Sequence, residues 1–214
     1  MIVIGLTGSI AMGKTTAAGI LRRMGLPVHD ADAAVHRLFR KGGGAVASVA
    51  QAFPGTVHDG AVDREVLGRR VFRDLDALYR LEAIVHPLVR ADSDEFLRRC
   101  ARRRVRMAVL DIPLLFEAGR DRDCDVTILV FAPAFLQAQR VLRRPGMTEQ
   151  RLADIRARQM PDREKRRRAD FVVWTGLSRR ETLRQLTVIV KLLRSGMHRR
   201  GRGAAGGKRR NPYA

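Results

Sequence analysis

Gly8-Ser9-Ile10-Ala11-Met12-Gly13-Lys14-Thr15 follows an apolar, β-branched run, Ile2–Leu6, and opens a helical pattern that lasts to about Met24. Its spacing is G-x-x-x-x-G-K-[ST]. Phosphate oxygens need several backbone N–H groups converging on them. Such a cradle is a tight loop in which side chains obstruct, hence Gly8 and Gly13, with Ser9, Ile10, Ala11 and Met12 between them. Lys14 reaches the outer phosphates of a nucleoside triphosphate. Thr15, followed by Thr16, offers a hydroxyl to Mg²⁺, and the helix presents its positive end to the anion. The ligands expected are therefore ATP and Mg²⁺.

Outward from this loop the chain alternates short apolar strands with helices. Gly25 stops the first helix, and Leu26–His29 reads as a second strand leading into Asp30-Ala31-Asp32. From Ala33 to Arg104 the pattern is mainly helical, interrupted at Gly42–Gly44 and across the turn-rich Phe53–Gly60, with a helix break at His86-Pro87. Met107–Asp111 and Val126–Phe131 are buried strands. Ala134 to about Arg144 is a helix, and Thr148 to about Arg168 reads as one long charged helix. Phe171–Trp174 is the last strand and Glu181–Leu193 the last helix. Fully apolar strands alternating with helices imply an α/β fold with a parallel sheet covered on both faces. The expected plan is a P-loop nucleotide-kinase type of fold with a five-stranded sheet and residues 1–195 as one kinase domain. Its nucleotide core spans 1–30, 105–136 and 169–195, its acceptor-binding lobe 31–104, and its lid 137–168. Residues 196–214 are expected to be a disordered basic tail.

The chain has 214 residues, 45% of them hydrophobic, enough for one sizeable core and a smaller lobe. No basic leader precedes the first apolar run and no apolar run approaches the length of a membrane helix, so neither secretion nor membrane insertion is expected. Two cysteines, Cys100 and Cys124, make neither a disulfide framework nor a metal site. Each is a small filler residue or a lone exposed thiol, and a reducing cytoplasm is the expected location. The charge balance is +20, and nearly all the positive charge is arginine. That attracts polyanions, but the charge is concentrated in Arg98–Arg106, Arg140–Arg168 and the Gly-rich tail (Arg199, Arg200, Arg202, Lys208, Arg209, Arg210). The only nucleic-acid contact expected is a non-specific one by the tail. A monomer is the expected state.

Phosphoryl transfer also needs carboxylates beside the outer phosphate. Asp111 ends its strand at the same sheet edge as the loop and is the candidate to share Mg²⁺ with Thr15. Asp30 and Asp32 follow the second strand. Asp32 is the candidate base for a substrate hydroxyl, although an Asp after a strand is commonly a helix N-cap and the residues do not choose between the two. His36 lies one helical turn beyond Asp32.

Taken together these segments resemble the dephospho-coenzyme A kinases. The resemblance runs through Gly5–Thr16, Asp30-Ala31-Asp32 with His36, Asp63-Arg64 with Val71-Phe72, and Leu81–Arg90 with its His86-Pro87-Leu88-Val89-Arg90. It continues through Asp111-Ile112-Pro113-Leu114-Leu115-Phe116-Glu117, Gln137, Arg140, Arg144, Gln159, Lys165 and Ala169-Asp170. It covers about residues 2–190, and the His-Pro and Asp-Ile-Pro segments are its most specific parts. It implies transfer of the ATP γ-phosphoryl group to the ribose 3′-hydroxyl of dephospho-coenzyme A. By that resemblance Asp32 is the base, Arg140 a lid arginine facing the phosphates, and Arg144 and Thr175 further nucleotide contacts. Arg64, His86, Arg90, Asp111, Leu115, Phe116 and Glu117 line the acceptor site. Ala11 stands where glycine is common, Thr175 where asparagine is common, and Pro145 where the lid turn is often acidic.

Two other readings remain. One is a different small-molecule P-loop kinase, of nucleotide or shikimate type. The other is a nucleic-acid-binding protein with an incidental P-loop, which the charge favours but the lack of aromatics interleaved with the basic clusters does not.

Overall fold

The computed structural model describes residues 1–72 and 74–196; all but the first residue of the expected basic tail lies outside the described residues. In chain order the elements are β1 (Ile2–Thr7), α1 (Lys14–Arg23), β2 (Val28–Asp30), α2 (Ala31–Phe39), α3 (Val46–Ala52), β3 (Val57–His58), β4 (Ala61–Val62), α4 (Arg64–Phe72) and α5 (Leu75–Arg102). Then follow β5 (Met107–Asp111), β6 (Val126–Phe131), α6 (Ala134–Leu142), α7 (Glu149–Arg158), α8 (Asp162–Arg168), β7 (Phe171–Trp174) and α9 (Arg179–Arg194). The chain divides into two compact units, one of Met1–His29 with the chain from Cys100 onward, the other Asp30–Arg99.

The first unit is built on a five-stranded parallel sheet in the order β2-β5-β1-β6-β7, as the apolar strand runs imply. β1 is central, with Ile4 opposite Val109 of β5 and Val126 of β6. Leu6 pairs with Asp111, so the last residue of β5 stands level with the end of β1, where the phosphate-loop motif begins. α1 and α9 pack together against the sheet. Ile4, Leu6, Leu21, Val109, Ile128, Leu186 and Val190 there are almost wholly buried, each contributing on the order of 1.5–3 kcal/mol. Both cysteines are buried, which selects the filler reading over the exposed thiol. Cys124 packs against Gly5, where an added Cβ would lie 2.7 Å from its sulfur. Burial pushes the Cys124 thiol up to about 12. The thiolate is the reactive form, so native protein at pH 8 is expected to resist alkylation at both cysteines. Urea-unfolded protein should take up two equivalents, and rapid native labelling of Cys124 would contradict this packing.

The second unit is more than helices. His58-Asp59-Gly60-Ala61 forms an antiparallel hairpin whose two loop residues both have positive φ, 50° and 77°. This is the Asp-Gly hairpin signal, and it lies inside a stretch that reads from sequence only as turn-rich. His86-Pro87 does not break the helix: α5 runs through it. Proline removes one ladder bond at a cost of about 3 kcal/mol. Val85 and Val89 beside it, with Ala77 and Leu97 further along, are buried and hold both halves in place. The expected single helix Thr148–Arg168 is two, because Pro161 cannot continue a helix and instead stands as the N-cap of α8. No helix among the described residues is long and apolar enough to cross a membrane.

Candidate active site

The strand β1 delivers the chain to Gly8 at the centre of the sheet edge. A Cβ on Gly8 would lie 2.4 Å from Val130 Cγ2 and 2.8 Å from Val130 O, so only glycine lets the loop pass β6. Gly13 is in the left-handed region (φ 89°) and packs against Thr175, 3.1 Å from where its Cβ would be. It is the N-cap of α1, and no side chain caps that helix. The helical ladder starts with Ala17 N–H to Gly13 O, so the N–H groups before it face out of the helix end. The loop thus keeps its donors and its dipole for an anion.

Lys14 and Asp111 meet across this mouth, Nζ to Oδ1 at 2.7 Å, with Asp111 almost buried and Lys14 partly exposed. Their pairing follows from the register that places Asp111 beside Leu6. Thr7 Oγ1 adds a second tie between the same strands' ends, donating to Pro113 O at 2.9 Å. Thr15 is exposed, leaving its hydroxyl accessible.

The outer rim of the loop is held residue by residue from the segment after β6. Ser9 Oγ donates to Asp162 Oδ1 (2.6 Å) and accepts from Lys165 Nζ (3.2 Å). Ile10 N–H donates to Gln159 Oε1 (3.4 Å), while Gln137 Nε2 donates to Ile10 O (3.0 Å). Arg156 steadies Gln137 with two bonds to its Oε1. Arg140 donates to Ala11 O and Thr175 O, and Thr175 Oγ1 to Met12 O at 2.6 Å. Two residues expected to face the nucleotide, Arg140 and Thr175, therefore bind the loop's own backbone in this structure. Arg144 is exposed in the turn after α6. Sequence reasoning named Gln137, Gln159 and Lys165 without a role and missed Asp162 and Arg156. Pro161, which starts α8 at Asp162, was the available signal for the first of these.

Ala11 sits at φ 58°, a conformation that costs an L-residue roughly 1–2 kcal/mol. Replacing it with glycine removes that strain but loosens the unfolded chain by about 0.4–1 kcal/mol. Ala11→Gly is thus expected to stabilise the protein by about 0.5–1 kcal/mol, a rise of roughly 1–4 °C in Tm for a domain of this size. A lower Tm in a thermal melt would mean that the methyl group makes a contact worth more than the strain.

In the segment Leu114–Glu117, Leu115 and Phe116 are buried; an added Cβ on Gly5 would meet Leu115 Cδ2 at 2.9 Å. Glu117 Oε1 accepts from Lys165 Nζ (2.8 Å) and Met160 N–H (2.9 Å). Its Oε2 is buried with no hydrogen-bond partner among the described residues.

In the second unit Asp30 is the N-cap of α2, its Oδ1 accepting from Ala33 N–H at 3.0 Å. Asp32 lies exposed in that helix's first turn. His36, exposed on the same helix, approaches Arg64 Nη1 with its Nδ1 at 3.3 Å. Asp63 caps α4 through Val66 and Glu65 N–H, bonds that hold its carboxyl below the ordinary 3.8. His86 and Arg90 lie one turn apart and exposed on α5. Among the described residues no group of three or more His, Cys, Asp and Glu could hold a metal unaided.

The profile of the dephospho-CoA kinase (CoaE) family matches residues 2–178. A dephospho-CoA kinase of Rhodospirillum rubrum is 56% identical over 203 residues, 94% of this chain and 96% of that protein. One from Paramagnetospirillum magneticum is 64% identical over 166 residues, 78% of each. Among solved structures, the TT1252 protein of Thermus thermophilus is 38% identical and superposes with a TM-score of 0.79 over 90% of this chain and 97% of its own. The fold is also that of the Campylobacter jejuni dephospho-CoA kinase (TM-score 0.68, 24% identity, covering 91% and 98%).

Proposed function

Because the chain belongs to the dephospho-CoA kinase family, we infer that it transfers the γ-phosphoryl group of ATP to the ribose 3′-hydroxyl of dephospho-coenzyme A, giving coenzyme A and ADP. The observation that carries this reading is the uncapped start of α1 beneath a glycine-bounded loop, with Lys14 and Asp111 facing each other at its mouth. Transfer through a loose transition state asks a protein mainly for positioning and charge stabilisation. The loop N–H groups bind the inner phosphates. Lys14 exchanges part of its pairing with Asp111 for the outer phosphate oxygens.

Hard oxygen donors suit Mg²⁺, which keeps several waters and is commonly shared between one or two side chains and phosphates. The exposed Thr15 hydroxyl and the Asp111 carboxylate fit that role, with the remaining ligands arriving on the triphosphate. When bound, the ion neutralises charge on the phosphates. Asp32 accepts or orients the proton of the attacking hydroxyl, and Arg64, His86, Arg90 and Glu117 are proposed to contact the acceptor. Arg140 and Arg144 are proposed to turn toward the phosphates when the segment 137–168 closes on both substrates, which would exclude water.

The test is ADP formation by purified protein with and without dephospho-coenzyme A, followed by mass detection of a product heavier by one phosphoryl group. Turnover with a nucleoside monophosphate or shikimate but not with dephospho-coenzyme A would overturn the assignment.

A further inference from the structure

The chain's five lysines are Lys14, Lys41, Lys165, Lys191 and Lys208, against 42 basic residues in all. Lys165 lies in an arginine-rich helix, Asp162–Arg168, yet its side chain is completely buried. A buried ammonium carries a large desolvation cost that its ion pair only partly offsets. An apolar side chain of the same length would pack the helix at least as well. What the ammonium does that an apolar group cannot is donate in two directions: to Glu117 Oε1 at 2.8 Å, in the segment after β5, and to Ser9 Oγ at 3.2 Å, in the phosphate loop. A compact ammonium can direct separate donors to both, which arginine's planar fork does not match.

Ser9 is 6% exposed. Its hydroxyl gives its one proton to Asp162 Oδ1 at 2.6 Å and receives one from Lys165, which fixes its rotamer from both sides. Ser9 O in turn accepts Met12 N–H at 3.1 Å, closing the turn that holds Ala11 at φ 58°. The loop's least favourable backbone conformation is therefore bracketed by a residue locked from behind by Lys165.

We propose that Lys165 is a positioning residue that preorganises the phosphate loop for nucleotide, acting through Ser9 and braced by Glu117. It touches no reacting atom. Its contribution appears in nucleotide affinity, because a loop free to leave its bound shape loses affinity in proportion to the time spent elsewhere. The inference rests on the reading of the loop as an ATP site.

The experiment is titration of the full chain with a non-hydrolysable ATP analogue and Mg²⁺, alongside steady-state kinetics and a thermal melt. The proteins are wild type, Ser9→Ala, Lys165→Met and the double variant. Each single variant is expected to weaken analogue binding and raise KM for ATP by about tenfold, the effect of one charge-assisted hydrogen bond. KM for dephospho-coenzyme A should hold within about twofold in Ser9→Ala, which leaves the Lys165–Glu117 pair intact, and the double variant should bind the analogue no more weakly than the worse single one, since both break one chain of contacts. If Lys165→Met does not fold, Lys165→Met with Glu117→Leu, which leaves no unpaired buried charge, takes its place for the affinity measurement. Folded variants that bind the analogue like wild type would overturn the proposal, as would effects that multiply in the double variant. A wild-type protein that binds no analogue would overturn the ATP-site reading itself.

Discussion

Asp32→Asn is expected to lower kcat by at least about a hundredfold, the lower end for loss of a general acid or base, while leaving KM for ATP within about twofold. Asparagine matches aspartate in size and can still accept a hydrogen bond but cannot take a proton. The fold should tolerate the change, since Asp32 is exposed. Capping of α2 belongs to Asp30, not Asp32, and Asp32 is exposed in the helix's first turn. A lost carboxylate there removes a weak helix-dipole interaction, about 0.3–1 kcal/mol. Steady-state kinetics with the Tm as control checks this, and kcat within threefold of wild type would remove Asp32 from proton transfer.

Lys14→Met is the second large effect. Loss of a preorganised charge that meets developing negative charge costs on the order of 10²–10³ in kcat, and on the proposed reading Lys14 also contributes to ground-state binding of the triphosphate. A fall in kcat/KM for ATP of at least about a thousandfold is therefore expected. The variant should also be less stable, because Asp111 is almost buried and loses the ammonium 2.7 Å away, and removing one partner of a buried ion pair is destabilising. Asp111→Asn separates the two contributions. It removes the charge pair but leaves Lys14, and it also takes away a proposed Mg²⁺ ligand, so part of its loss in kcat/KM should be recovered at raised Mg²⁺, which Lys14→Met should not show. A loss in Asp111→Asn that raised Mg²⁺ leaves unchanged would remove Asp111 from metal binding.

Pairing of Lys14 with Asp111 also bears on how the site is kept ready. An unpaired ammonium at the loop would draw adventitious anions, and an unpaired Asp111 carboxylate would repel the triphosphate. On the proposed reading, the two screen one another until the triphosphate arrives.

Much of this site could be read from residues alone because its parts are local. Gly8, Gly13, Lys14 and Thr15 lie within eight consecutive positions, and backbone geometry at that spacing admits few structures. The five strands were equally legible, since an apolar run bounded by glycine or charge has few alternatives in an α/β chain. Two proline readings failed in opposite directions. Pro87 lies inside a helix with buried Val85 and Val89 on either side, whereas Pro161, flanked by the half-buried Met160 and Asp162, separates two helices. The local penalty is the same; burial decides whether it is overridden. The hairpin at Asp59-Gly60 carried a readable turn signal that a general impression of turn-rich sequence concealed.

The sequence by itself determined the glycine-bounded loop, the strand that feeds it, the carboxylates at the neighbouring strand ends and the family. Each of these depends on residues close together in the chain or on a fixed side-chain period. Only the tertiary structure decided what holds the loop's outer rim. Ser9 meets Asp162 and Lys165, and Ile10 meets Gln137 and Gln159, pairs separated by more than a hundred positions. No periodicity links such pairs, because their meeting depends on how the helices after β6 pack against the sheet edge. Lys165 shows the difference most sharply: in the sequence it is one more cation in a basic run, and in the fold it is a buried charge with two defined acceptors.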